Sequence, residues 1–143
     1  MSTRITTLRV STCLLIACGI WLVSLGLYFI FLRPPLLPED TRFMGSSLAQ
    51  VRAAVPGLEG WLKRLFIVMG GFMAGTGVLT VFAACVAMPS QWKATSWAIA
   101  VSGVLTVALM SAINFGVHSD FRWPLLVPAL VWLAGFVLHV ARR

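Results

Sequence analysis

Four apolar runs, at residues 8–32, 65–88, 94–117 and 123–141, are separated by polar connectors that with one exception leave room for little more than a turn. At a rise of ~1.5 Å per residue each run approaches or exceeds the ~30 Å thickness of a bilayer's hydrocarbon core. Backbone donors and acceptors in lipid must be satisfied within the segment, and runs of this length can do that only as helices. The expected fold is therefore all-α: a polytopic membrane protein, an antiparallel bundle of four transmembrane helices, with residues 1–143 as a single integral-membrane domain. Composition agrees. The chain is 59% hydrophobic and 10% charged, whereas soluble domains sit near 45–50% apolar and about 25% charged.

The formal charge of +7 does not point to nucleic acid, because the eleven Lys and Arg stand at the ends of apolar runs and form no stripe. Cations in that position are explained by topology and by anionic headgroups. Cys13, Cys18 and Cys85 lie inside apolar runs without a CxxC spacing, as small core residues do. Leu15-Ile16-Ala17-Cys18-Gly19 has the look of a lipoprotein cleavage site. The apolar run continues through Phe31, however, so cleavage there would discard half of a good helix.

The exceptional connector is 33–60. Arg33-Pro34-Pro35 ends the first helix, since proline lacks an N–H and biases the preceding residue away from helical geometry. Pro38-Glu39-Asp40-Thr41-Arg42 reads as a turn, with Arg42 in reach of a carboxylate. Ser47-Leu48-Ala49-Gln50 has capping-box spacing, and Leu48, Val51 and Val55 fall on one helical face before Pro56-Gly57. That pattern predicts a short amphipathic helix in the first loop, lying on the membrane surface or over the bundle mouth. Trp61, Lys63 and Arg64 mark an interface.

In the second run, Gly71 and Gly75 have the small-xxx-small spacing that lets another helix approach closely, within the bundle or in a homodimer. Pro89-Ser90-Gln91-Trp92-Lys93 is a tight connection to the third run. Near the far end of that run Asn114 should face the bundle or the headgroups, because an unpaired amide in lipid is costly. His118-Ser119-Asp120-Phe121-Arg122 is the last connector. In the fourth run Pro128 should bend the helix or leave a carbonyl for a neighbour, and His139 reads as an interface residue beside Arg142 and Arg143.

Four crossings place 33–60 and 118–122 on one face. All four acidic residues, Glu39, Asp40, Glu59 and Asp120, would then share that face with His118, Arg42, Arg52 and Arg122. The candidate binding residues are Glu39, Asp40, Arg42, Glu59, Asn114, His118, Asp120 and Arg122. Carboxylates and a histidine at a half-covered mouth could act as general acid and base, but no nucleophile signature accompanies them. One histidine with carboxylates from two loops is a sparse metal set. Neither catalytic residues, metal nor cofactor is expected. The simpler expectation is that Arg42 and Arg122 pair with Asp40, Glu39 or Asp120 and tie the two loops together.

The stretch Leu37-Pro38-Glu39-Asp40-Thr41-Arg42-Phe43-Met44-Gly45, with its surface helix and glycine-rich second run, resembles small bacterial inner-membrane proteins of four helices. The resemblance implies the bundle and no particular activity. Asp40-Thr41-Arg42-Phe43 is also similar to the acidic-x-Arg-aromatic element of the four-helix sterol isomerase and sigma-2 receptor group, although here it follows the first helix instead of the second.

Two functions follow. One is an accessory or structural protein that binds membrane lipids, a membrane-protein partner or a second copy of itself through helix faces and the loop face. The other is a bundle that binds, or acts on, a small hydrophobic ligand with the acidic cluster at the pocket mouth. Ion-coupled transport is disfavoured because 65–88 and 94–117 contain no charged residue. The terminal face carries Arg4, Arg9, Lys93, Arg142 and Arg143, and the loop face Arg33, Arg42, Arg52, Lys63, Arg64 and Arg122. This near balance leaves the uncompensated terminal arginines to orient the chain in the inner membrane with cytoplasmic termini. A reporter enzyme fused after Arg143 should accordingly be active only in its cytoplasm-requiring form; activity only in the exported form would invert the orientation.

Overall fold

The computed structural model describes residues 2–87 and 93–141, without the side chains of residues 2–9 and 87. Among the described residues the chain forms helices and turns and no strand. The order is α1 Ser2–Phe31, α2 Pro38–Phe43, α3 Leu48–Ala54, and α4 Leu58–Phe82 continued by a π-helical turn Ala83–Ala87. It continues with α5 Lys93–Gly103, which passes through a second π-helical turn Val104–Ala108 into α6 Leu109–Gly116, and ends with α7 Arg122–Val140. Four helical stretches, Val10–Phe31, Leu58–Val86, Lys93–Gly116 and Arg122–Val140, are long and apolar enough to cross a membrane. Their outward faces are apolar: Phe72 is 74% exposed and Trp97 73%. The 89–93 connection lies outside the described residues apart from Lys93, as do Arg142, Arg143 and the side chains of Arg4 and Arg9.

The tightest packing is between α1 and α4, and glycine makes it possible. A Cβ added to Gly26 would lie 2.5 Å from the Gly70 carbonyl oxygen, and one added to Gly77 would lie 2.5 Å from that of Gly19. Two glycines seven residues apart on each helix therefore let the backbones meet directly. Gly71 and Gly75, the pair expected to do this, face the other way, and a Cβ on either meets nothing within 4 Å. The physical reason is phase: Gly70 and Gly77 lie one heptad apart on the face turned to α1, which residues 71 and 75 do not share.

On its other side α1 packs against α7, and α7 in turn carries α5 and α6. Trp132 is the joint. Its indole lies on Gly103, where any Cβ would overlap it, and its Nε1 donates to the Ile99 carbonyl at 3.2 Å. The π-helical turn begins immediately after Gly103, and Thr106 Oγ1 donates to the Ser102 carbonyl at 2.6 Å, so the locally disturbed backbone keeps its acceptors occupied. Cys18 Sγ reaches the Pro128 carbonyl at 3.4 Å and so ties α1 to α7; the carbonyl that the missing N–H of Pro128 leaves over is that of Pro124, one turn earlier. The core runs along this seam through Leu15, Cys18, Leu22, Ile99, Val107 and Trp132. Between α4 and α5–α6 there is no such seam, and a crevice remains.

Other expectations are corrected. Residues 38–42 form the helix α2 instead of a turn. Pro38 starts it, Glu39 and Asp40 sit in its first turn, and Asp40 Oδ2 accepts from the Leu37 N–H at 2.7 Å. The Ser47–Gln50 capping box is present, with Ser47 Oγ accepting from the Gln50 N–H at 3.2 Å and Gln50 Oε1 from the Ser47 N–H at 2.9 Å. Its helix ends at Ala54, so Val51 is buried while Val55 is left exposed ahead of Pro56. The second long helix starts at Leu58 instead of 65, because nothing after Gly57 breaks a helix and Glu59 suits its first turn. His139 is buried at 2% exposure, with Nε2 2.8 Å from Ser96 Oγ, and thus links α7 to α5.

Replacing Gly26 or Gly77 by Ala should lower the unfolding free energy in detergent by about 1–3 kcal/mol through overpacking. Gly71→Ala and Gly75→Ala should stay within about 0.5 kcal/mol of the parent. Thermal melts followed by circular dichroism distinguish the two pairs.

Candidate functional site

Two helix ends build the loop face, and both end in the same way. After α2, Gly45 takes φ 65°, its N–H bonds the Arg42 carbonyl, and the Ser46 N–H bonds that of Thr41. After α6, His118 takes φ 54°, its N–H bonds the Phe115 carbonyl, and the Ser119 N–H bonds that of Asn114. Both are Schellman closures, in which the residue past the helix enters the left-handed region. His118 thus occupies a position that usually takes glycine. Its side chain is exposed and lines none of the cavities described below.

This closure presents Ser119 to α2. Ser119 is 1% exposed; its Oγ accepts from the Phe121 N–H and donates to both oxygens of Glu39 at 3.1 Å, while the Asp120 N–H donates to Glu39 Oε2 at 2.8 Å. One carboxylate is thereby clasped by the far connector. Arg42 Nη2 adds a 3.0 Å ion pair to Asp120, both side chains being mostly exposed. Arg52 pairs with Glu59 at 2.9 Å, within the first connector and the start of α4. The two connectors are therefore tied, by the ion pair Arg42–Asp120 as expected and by Glu39 through hydrogen bonds to Ser119 and Asp120 instead of through an arginine. Among the described residues Arg122 pairs with no carboxylate.

Arg33, which the sequence marked only as a helix end, is the other anchor. Its guanidinium lies 3.6 Å above the Phe66 ring centroid and 5.2 Å from that of Phe29, with Nη2 3.7 Å from Asp40 Oδ2 and Nη1 donating to the Pro34 carbonyl. Only 11% of the side chain is exposed. Burial pulls its pKa below the ordinary arginine value, against the opposing pull of Asp40, Tyr28 and Glu39. The ring faces compensate part of that desolvation. Phe29 stands one helical turn before Arg33, a spacing visible in the sequence; Phe66 becomes a partner only through the α1–α4 packing. Ser119 was also missed, and its only sequence signal is the i to i+2 turn bond that serine favours.

Four cavities concern this face and the crevice. One of about 320 Å³ lies between α2, the start of α4 and Ser119, with Glu39 and Asp40 in its wall. A second, of about 310 Å³, lies beneath α2 among α1, α6 and α7 and is lined in part by Tyr28, Arg33, Glu39 and Asn114. Phe29, Met110 and Asn114 also line a third cavity of about 410 Å³ that opens between α4 and α6. Thr76 belongs to that third cavity and to a fourth, of about 390 Å³, further along between α4 and α5. Residues 69–84 of α4 border this crevice, a length of about 22 Å. Its hydroxyls are turned inward, Thr76 to the Phe72 carbonyl and Thr80 to that of Thr76, so the wall is apolar. Asn114 Nδ2 donates to the Met110 carbonyl at 2.9 Å.

Of the residues singled out by sequence, Glu39, Asp40, Arg42 and Asp120 come together; Asn114 lines the cavity beneath them; Glu59 pairs separately; His118 and Arg122 are brought to none of these contacts. Among the described residues no group of three His, Cys, Asp or Glu could hold a metal ion. No family model, curated protein or solved structure matches the chain.

Three variants read this geometry through thermal stability. Ser119→Ala should cost about 1.5–3 kcal/mol, because it removes a buried bond to a charged group. Arg42→Ala should cost less than about 1 kcal/mol, as exposed ion pairs do. His118→Gly should gain about 1 kcal/mol by relieving the left-handed backbone, an outcome incompatible with an essential structural contact by the imidazole.

Proposed function

We propose that the chain is a multi-pass inner-membrane protein, an antiparallel bundle of four spans with cytoplasmic termini, that works as an accessory protein by holding a lipid or an apolar partner segment. The observation that carries this reading is the crevice between α4 and α5–α6, a lateral apolar opening next to a polar face braced by Glu39 and Ser119. Helices in lipid gain little from burying apolar surface and associate through packing and hydrogen bonds. A gap of this size forgoes packing unless something occupies it.

The competing reading, a ligand-binding or catalytic bundle, is supported as to binding by the cavity beneath α2. The catalytic part has less support. His118 stands apart from the carboxylates, and the Ser119 hydroxyl and Asp120 N–H that clasp Glu39 suit a structural role better than a base.

Two measurements test the proposal. In a variant with Cys13, Cys18 and Cys85 replaced by Ser, single cysteines at Ser46 and Asp120 should react with an impermeant thiol reagent from one side of a sealed vesicle, and one at Ala141 from the other. A photoreactive residue at Leu105, in the crevice, should give a discrete adduct that the same residue at Val127, on the outer face of α7, does not. Equal, diffuse labelling at both positions would remove the crevice as a binding site.

A further inference from the structure

The cavity beneath α2 and the crevice adjoin at three shared wall residues, Phe29, Met110 and Asn114; both are mostly apolar, but the chamber beneath α2 also has Arg33, Glu39 and Tyr28 in its wall. The chamber contains opposite charges that are not paired with each other: Arg33 pairs with Asp40, and Glu39 is held by Ser119 and Asp120. It also contains unused hydrogen-bonding capacity. Of the five donors of the Arg33 guanidinium, one bonds the Pro34 carbonyl and another faces Asp40 at 3.7 Å. Among the described residues, no hydrogen bond involves the Tyr28 hydroxyl or the Asn114 side-chain oxygen. Glu39 accepts from two donors, the Ser119 hydroxyl shared between its oxygens and the Asp120 N–H, and a carboxylate has about four acceptor sites.

Resting on the membrane-accessory reading above, we infer that this compound cavity binds one zwitterionic phospholipid, with its headgroup under α2 and one acyl chain in the slot between α4 and α6. The phosphate meets Arg33 and Tyr28, the headgroup ammonium meets Glu39, and the glycerol ester region passes Asn114. Charge decides the class. An anionic lipid would place its phosphate beside Arg33 and leave Glu39 without a counter-charge, whereas a zwitterion complements both. The slot sets the length of the chain it takes, for a groove of about 22 Å along α4 matches one extended acyl chain. α2 then acts as a cover whose position is set by the Glu39–Ser119 clasp.

The test uses the full chain, purified in detergent, exchanged free of lipid and offered an equimolar mixture of phosphatidylethanolamine, phosphatidylcholine and phosphatidylglycerol with identical chains. Native mass spectrometry reads what stays bound. One zwitterionic lipid per chain, retained about tenfold over phosphatidylglycerol, which corresponds to ~1.4 kcal/mol, is the expected result. Glu39→Gln should reduce that preference to near parity. Because Glu39→Gln also weakens the clasp, a second variant is needed: Thr76→Phe, remote from every charge, should block the slot and lower retention of all three lipids about tenfold with an unchanged melt. Indiscriminate retention, preference for phosphatidylglycerol, no retention, or normal binding by Thr76→Phe each overturns the inference. Those results leave the accessory reading standing if the Leu105 adduct forms with a protein, and that reading fails separately if the cysteine labelling shows no crossing of the membrane.

Discussion

The direct meeting of two backbones, α1 and α4, at Gly19, Gly26, Gly70 and Gly77 is the constraint on which the remaining arrangement depends. Where helices long and apolar enough to cross a membrane lie in lipid, an apolar side chain gains little by turning inward, so such helices are held where atoms fit closely and where polar groups find each other. Side chains as small as hydrogen permit that fit along α1. α4 is consequently committed to α1, and Trp132 commits α7 to α5 through Gly103 and Ile99. α1 and α7 lie between, and the two outer helices are left without a seam of their own. The crevice follows from the placement of five glycines and one indole.

Much of this was legible in the chain. The apolar runs gave the helices because their length and lack of charge admit no other spanning form, and the capping box at Ser47 gave α3. The glycine phase was misread for packing within the bundle, while the homodimer reading of Gly71 and Gly75, both facing open space, is untouched. Gly71 and Gly75 have the familiar spacing, but which face of a long apolar helix meets its neighbour depends on the neighbour's sequence as well, and Gly19 and Gly26 were the missing half. His139 was read as an interface residue from its distance along the chain to Arg142. Its burial depends on Ser96, which lies far away in sequence.

At the loop face the charges were visible and their pairing only partly so. Asp120 and Arg42 could be matched because both are exposed and opposite in sign. Glu39 was expected opposite Arg42 or Arg122, but its partners are a hydroxyl and a backbone N–H that only a closed turn supplies. Arg33 required knowledge that Phe66 stands opposite Phe29. Interactions made by backbone conformation or by two elements at once leave little trace in a linear pattern, whereas those made by charge or period do.

The π-helical turn at Val104–Ala108 also sets a rotational phase. One extra residue in a helix turns everything downstream by about 100° relative to an uninterrupted α-helix. The turn therefore offers Thr106, and α6 after it Met110 and Asn114, to the opening instead of whichever residues a continuous helix would have aimed there. Losing a single residue in this segment would let the helix heal and swing the chamber's amide away, while hydropathy and length stayed almost unchanged. Two chains with the same apolar profile could thus differ entirely in what their lateral opening recognises.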